Sequence, residues 1–297
     1  MTLISKLVAA QSIQPPKWLP DNLQYLTIMG SEAYGVASGG SDVDFYGFCI
    51  PPKELVFPLL SGEIPGFGRQ MQRFEQWQQH HVVDPDGKAK TYDFQIFSIV
   101  KFFQLCMENN PNMIDALFTP RRCISHSTQL AELVRENRKA FLHKGAWHKF
   151  KGYAYAQMSK IGNKSNASNP KRAESIEKFG YDVKFAYHVV RLLDEVEQIL
   201  TEHDLDIERN REQLKSIRRG EWKLDTLQLW FADKERQLEA AYAASTLRHS
   251  PDEGALKSLL LSCLETHYGT ISMALAVNPD TARLVAEIHS VLAKYQA

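Results

Sequence analysis

Cysteine is scarce in this 297-residue chain: Cys49, Cys106, Cys123 and Cys263 lie far apart, with no C-x-x-C pair. That spacing argues against a structural zinc site and a disulfide framework, and it suits a reducing cytoplasm. An excess of one charge is also missing. Lys plus Arg and Asp plus Glu both number 35, so no global field attracts a polyanion and any such binding needs a local patch. No apolar run approaches the roughly 20 residues that span a bilayer, and the first stretch, MTLISKLVAAQSIQPPKW, lacks the basic-then-apolar layout of a secretion signal. These absences lead to the expectation of a soluble cytoplasmic protein with no membrane partner. The G-x-x-x-x-G-K-[ST] loop and the serine-hydrolase elbow are absent too, which sets aside two further phosphate and acyl chemistries.

What is present is ordinary globular composition, 44% hydrophobic and 24% charged, in a chain long enough for one substantial core or two modest ones. Leu23–Met29 and Val43–Ile50 read as strands, the second ended by Pro51-Pro52, which donate no ladder hydrogen bond. Met71–Val83 and Lys90–Phe97 read as a hairpin about Asp84-Pro85-Asp86-Gly87. From Ile99 the spacing turns helical. Asn110-Pro111 resembles an N-cap with a first-turn proline, and helices are expected at about 127–140, 146–159, 172–201, 208–218, 224–246, 252–267 and 278–295. Lys160–Pro170 reads as a polar mobile loop. The expected fold is α+β: a small mixed-sheet head over residues 1–120, then a larger α-helical domain over 121–297.

The chemistry concentrates in Ile28-Met29-Gly30-Ser31, ten intervening residues, and Asp42-Val43-Asp44-Phe45. On a strand, Asp42 and Asp44 project from one face, roughly 6–7 Å apart. Two such carboxylates repel unless a cation lies between them, and hard oxygen ligands select Mg²⁺ or Mn²⁺. Asp93, in the alternating run Thr91–Ile96, is placed to supply a third acid and complete a site for two ions. Gly30 and Ser31 suit a turn where backbone approaches phosphate, and Gly39-Gly40-Ser41 makes a flexible approach to the first acid, with Ser41 counted among the nucleotide-binding candidates. A D-x-D pair alone is common on exposed turns; two acids inside an apolar run, with Gly-Ser at this distance after a strand, are not.

The spacing hydrophobic-Gly-Ser, ten residues, Asp-hydrophobic-Asp-hydrophobic resembles the polymerase-β-like nucleotidyltransferases. The longer string GSEAYGVASGGSDVDFYGFCIPP is similar to a narrower bacterial and phage family within them, some members associated with RNA ligases in RNA repair. The resemblance runs on through Tyr92-Asp93, Asn110-Pro111-Asn112, Phe179–Lys184, His188 and Arg191-Leu192-Leu193. It implies metal acids at Asp42, Asp44 and Asp93, a phosphate-gripping turn at Gly30 and Ser31, and transfer of a nucleoside monophosphate from a nucleoside triphosphate to an acceptor hydroxyl. The acceptor it favours is RNA or another nucleic-acid end. Transfer to a protein or small molecule, and a nucleotide-binding regulator without turnover, are the rival readings; oligomeric state is not legible.

Residues 141–193 hold ten Lys or Arg against three acids. Tyr181, Lys184, His188 and Arg191 fall on one face of the expected helix, so Lys184 and Arg191 are expected to take triphosphate oxygens and His188 to touch base or sugar. Other signals rank lower. His80-His81 would face opposite sides of a strand and chelate poorly, Arg122…His126 is a chance-level pair, and Trp147, Tyr153 and Tyr155 read as core sooner than as base-stacking residues.

Overall fold

The computed structural model describes residues 2–37, 42–56, 73–84, 91–161 and 170–269. The expected helix at 278–295, the loop at 162–169 and the approach at 39–41, Ser41 included, lie outside the described residues.

Five strands form one mixed sheet: β1 (Leu23–Ile28), β2 (Val43–Cys49), β3 (Gln76–Val83), β4 (Thr91–Ser98) and β5 (Ile124–Ser127), in the order β3-β4-β2-β1-β5. β3 and β4 pair antiparallel as the expected hairpin, and β4 then lies parallel to β2. β5 was not foreseen. It is four residues long, with polar Ser125, His126 and Ser127, and it exists because β1 offers an antiparallel edge.

Alternation along the strands divides the core. Val43, Phe45, Phe94 and Ile96 face one side, where α1 (Leu3–Ala9), capped by the Thr2 hydroxyl, lays down Ile4 and Leu7. This helix and the single turn α2 (Leu19–Asn22) had no strong periodic signal. Tyr25, Phe48 and Phe97 face the other side and join the larger core. Three further short helices lie within or beside the sheet segment: α3 (Gly30–Ala33), α4 (Lys53–Val56) and α5 (Ile99–Met107), the last capped by Ser98. The rest is helical: α6 (Pro111–Phe118), α7 (Gln129–Glu136), α8 (Ala146–Ile161), α9 (Pro170–Phe179), α10 (Val183–Glu202), α11 (Arg211–Arg218), α12 (Leu224–Ala244) and α13 (Glu253–Tyr268). The Asn110 side chain accepts from the Asn112 N–H and Pro111 opens the first turn of α6, as the sequence implied. The larger core runs unbroken from Tyr25 through Phe118 to Leu264, so sheet and helices share it across position 120.

The one long helix expected over 172–201 is two. Gly180 adopts φ +81°, a left-handed stop that favours glycine, and Asp182 then caps α10 by accepting from the Lys184 N–H at 2.9 Å. Tyr181 consequently stands before α10, buried, with its hydroxyl donating to the Trp222 carbonyl at 2.7 Å. It belongs to the core and not to the expected polar stripe.

Candidate functional site

The site lies at the ends of β1, β2 and β4. The Met29 N–H donates to the Asp44 carbonyl at 2.7 Å, and the chain then turns at Gly30, φ +67°, into α3. The turn favours glycine, because a Cβ there would stand 2.5 Å from Asp44 Oδ2 and push that carboxylate aside. On the neighbouring strands Asp44 and Asp93 are direct partners in the parallel register. Their side chains therefore leave the same face of the sheet at the spacing of adjacent strands, about 5 Å. Asp42, exposed at the entry to β2, accepts a hydrogen bond from the Thr91 hydroxyl beside Asp93. The three acids foreseen in the sequence thus share one end of the sheet.

Their electrostatics follow from that placement. Burial pushes the Asp44 carboxyl above the usual carboxylate range, and the charges of Asp93 and Asp42 push the same way while Lys184 and His80 pull it back. Asp93 is braced from the edge strand. A register shift between Gln79 and Val82 puts His81 at φ +56°, and its backbone N–H donates to Asp93 Oδ1 at 2.7 Å. His80 Nδ1 lies 3.5 Å from Asp93 Oδ2. The two histidines therefore act on the third acid through a bulge that alternation alone does not predict.

A cavity of about 140 Å³ opens beside Asp44 and Gly30. Tyr34, Tyr46 and Asn112 form its walls, and α10 contributes His188 and Arg191. Burial, and next the charge of Asp44, pushes the Tyr46 hydroxyl up to about 12, so it stays protonated as a donor. Among the foreseen residues, Lys184 is exposed and close enough to Asp44 to lower its carboxyl, and His188 reaches the cavity wall. Ser31 sits half-buried in α3, its carbonyl accepting from the Val36 N–H at 2.9 Å.

Arg191 is placed otherwise than expected. It is 5% exposed, and its Nη1 reaches Asp115, Glu195 at 3.1 Å and the Tyr34 hydroxyl at 2.7 Å. With Nη1 engaged by two buried carboxylates the guanidinium serves as an internal counter-ion, while the side chain also lines the cavity. The basic stretch is corrected in the same way. Lys151 pairs with Glu235 at 2.6 Å and Glu239 at 3.1 Å, Lys149 with Glu108 at 3.3 Å, and buried Lys144 lies 5.4 Å from the Tyr242 ring centre. Part of the charge counted over 141–193 is thus met by acids of the fold at its surface, and Lys144 is buried. Arg122 and His126 have separate partners, Glu208 at 2.5 Å and the Leu23 carbonyl at 3.2 Å. Trp147 is core, Tyr153 meets Asn110 at 3.2 Å, and half-exposed Tyr155 donates to Glu235 at 2.8 Å.

Sequence reasoning missed Tyr34, Tyr46, Asp115 and Glu195, and quoted Asn112 only as part of a motif. The available signal was Asp115 inside the apolar run Met113–Phe118, an acid that needs a buried partner.

The acids fit a divalent cation by their chemistry, carboxylates whose mutual repulsion already lifts Asp44. Even so, among the described residues no three His, Cys, Asp or Glu side chains are gathered tightly enough to grip an ion as they stand. No helix among them is long and apolar enough to cross a membrane.

Residues 6–261 match the RNA repair pathway DNA polymerase beta family, and the chain belongs to it. An uncharacterized 38.9 kDa protein from the nrdC-mobD intergenic region of Enterobacteria phage T4 is 24% identical over 139 residues, which cover 46% of this chain and 38% of the phage protein. A nucleotidyltransferase-like protein from Exiguobacterium sibiricum, solved as a crystal structure, aligns over 88% of this chain and 74% of its own, at 9% identity and a TM-score of 0.29.

Proposed function

From that family membership as premise, we propose that the chain moves a nucleoside monophosphate from a nucleoside triphosphate to a hydroxyl at an RNA end. The observation that carries the proposal is the direct register of Asp44 with Asp93, with Asp42 at the strand entry and Gly30 packed on Asp44. The acceptor oxygen attacks the α-phosphorus, the bond from that phosphorus to the β-bridging oxygen breaks, and pyrophosphate leaves with the electron pair. Asp42, Asp44 and Asp93 would hold Mg²⁺ or Mn²⁺, two ions, whose chemistry when bound is to neutralise the phosphates and acidify the hydroxyl.

The side chains divide the remaining work. Asp93, fixed by the His81 N–H, faces the incoming hydroxyl. Gly30 and Ser31 admit the phosphate tail close to the backbone, and Lys184 meets it from α10. His188 and Asn112, in the cavity wall, are positioned for sugar or base. The pairing of Lys149 and Lys151 with acids of the fold, which lowers the net charge of the basic stretch, is the observation that favours a second reading, transfer to a protein side chain or small molecule. Incubation with labelled triphosphates, Mg²⁺ or Mn²⁺, and mixed RNA and protein acceptors separates the two. RNA is expected to carry the label and to lose it in Asp44→Ala; label on protein alone would refute the RNA reading, and transfer by Asp44→Ala at wild-type rate would refute the mechanism.

A further inference from the structure

The segment that follows the glycine turn does not hold itself. α3 is four residues long, one turn with no propagation to stabilise it, and the chain leaves the helix through Tyr34 and Gly35 to Val36. Its conformation is imposed from outside. Arg122 Nη2 donates to the Glu32 carbonyl at 3.1 Å and to the Ala33 carbonyl at 3.4 Å, while Glu208 fixes the same guanidinium at 2.5 Å. Arg218, from the last turn of α11, donates through Nη1 to the Val36 carbonyl at 2.7 Å. Arg191 reaches the Tyr34 hydroxyl between them and lies 4.4 Å from its ring centre.

Three guanidiniums thus grip four of the positions of a seven-residue segment, 32, 33, 34 and 36, from about 90 to 180 residues further along the chain. The other end of the segment is Gly30, which fits against Asp44 Oδ2 with no room for a methyl group. A backbone pinned at 32, 33 and 36 cannot drift away from that carboxylate.

We propose that Arg122 and Arg218 are positioning residues of the nucleotide site, holding segment 30–36 so that Gly30 and Ser31 stay registered on Asp44. The proposal rests on the nucleotidyltransferase reading above. Neither side chain meets the reaction: both act through backbone carbonyls. Arg122 is 48% exposed, and Arg218 is part-buried 5.7 Å from the Tyr187 ring centre, a position where the methionine stem of R218M keeps the apolar contact. That separates positioning from mere folding. Arg122 was dismissed as half of a chance motif, and its use appears only when residues 32 and 33 come beside it.

The test compares wild type with R218M, the double variant R122M/R218M and the conservative R218K. Thermal midpoint, amide hydrogen exchange over residues 30–36, and KM and kcat for triphosphate and for acceptor are measured on each. Charge-assisted hydrogen bonds of this kind predict a KM for triphosphate raised about tenfold or more in the double variant. The acceptor KM is expected to stay within about twofold, exchange over 30–36 to quicken, and R218K to recover most of the loss. R218M alone decides the matter if the double variant is poorly folded. An unchanged triphosphate KM, with or without faster exchange, overturns the proposal, as does an equal rise in both KM values. A wild-type protein with no triphosphate turnover sinks the functional reading itself and the positioning role with it.

Discussion

Gly30→Ala asks whether the contact between the glycine turn and Asp44 is catalytic geometry or incidental packing. An alanine Cβ would stand 2.5 Å from Asp44 Oδ2, whereas ordinary contact begins at 3.4 Å, so the two groups must separate by 3.4 − 2.5 = 0.9 Å. The position also has φ +67°, where a side chain costs about 1 kcal/mol or slightly more. The oxygen it meets is the free end of a side chain, so the fold relieves the clash by rotating Asp44 and the stability loss stays near that strain. At roughly 2–4 °C per kcal/mol for a chain of this order, the thermal midpoint falls only a few degrees. Catalysis suffers more, because a displacement of about 1 Å in a reacting constellation is worth about a hundredfold in rate.

A control isolates the two effects. Gly180 has φ +81° and nothing within 4 Å of an added Cβ, so Gly180→Ala carries the strain without the collision. NMP-transfer kinetics and melting curves on both variants should show similar small midpoint shifts, with kcat/KM lost only in Gly30→Ala. Activity in Gly30→Ala within threefold of wild type, or no lower than in Gly180→Ala, refutes the geometry assigned to Asp44.

Further outcomes follow from the buried charges. Burial holds the Glu195 carboxyl well above its ordinary 4.5, so the stability tied to its protonated form is complete below about pH 4.5 and lost as pH rises through the higher folded value. Glu195→Gln, which cannot ionise, should therefore gain stability relative to wild type as pH rises above about 4.5, read as a growing difference in urea midpoints; a flat difference contradicts the assignment. Arg191→Met leaves Asp115 and Glu195 without their cation and should cost about 3 kcal/mol or more in the same unfolding experiment, against under about 1 kcal/mol if the pairing is incidental. Removing divalent cations with EDTA should weaken triphosphate binding, measured by calorimetry with Ca²⁺ as the non-reactive reference, by about a hundredfold or more, or about 2.7 kcal/mol. Affinity within threefold of the Ca²⁺ value would show that protein cations suffice.

The readable parts of the sequence were those where a local rule and the tertiary structure agree. The alternation of Val43, Phe45 and Gly47 with Asp44 and Tyr46 names the strand and its polar face together, and the same holds for Asp93 in β4. Asn110-Pro111 marks a helix start because cap and proline act within one turn. What escaped was set at long range. β5 pairs only because an edge is offered, and the bulge at His81 that braces Asp93 interrupts the very alternation used to dismiss the two histidines. Gly180 and Asp182 carried a stop and a start two residues apart, overruled by the helical periodicity on either side. Arg191 was misread for a different reason. Helical spacing gives its face correctly, but Asp115, 76 residues away, decides whether the charge points to substrate or into the core.

That decision shapes the chemistry of the whole cleft. α10 brings two cations toward the acids, Lys184 at its first turn and Arg191 two turns on. Arg191 Nη1 is engaged by Asp115 and Glu195, so the charge of the wall behind the cavity is largely met from within the fold. In front of it Asp42, Asp44 and Asp93 add three more acids, and the Asp44 carboxyl is raised first by burial and then by the charges of Asp93 and Asp42. On the proposed function, Lys184 would be the one cation that α10 offers a triphosphate among the described residues, and like charges at 4–6 Å disfavour one another. The remaining positive charge would then arrive with the nucleotide. Such a cleft would couple substrate entry to metal entry, because acids that repel a bare triphosphate would accept one accompanied by divalent ions.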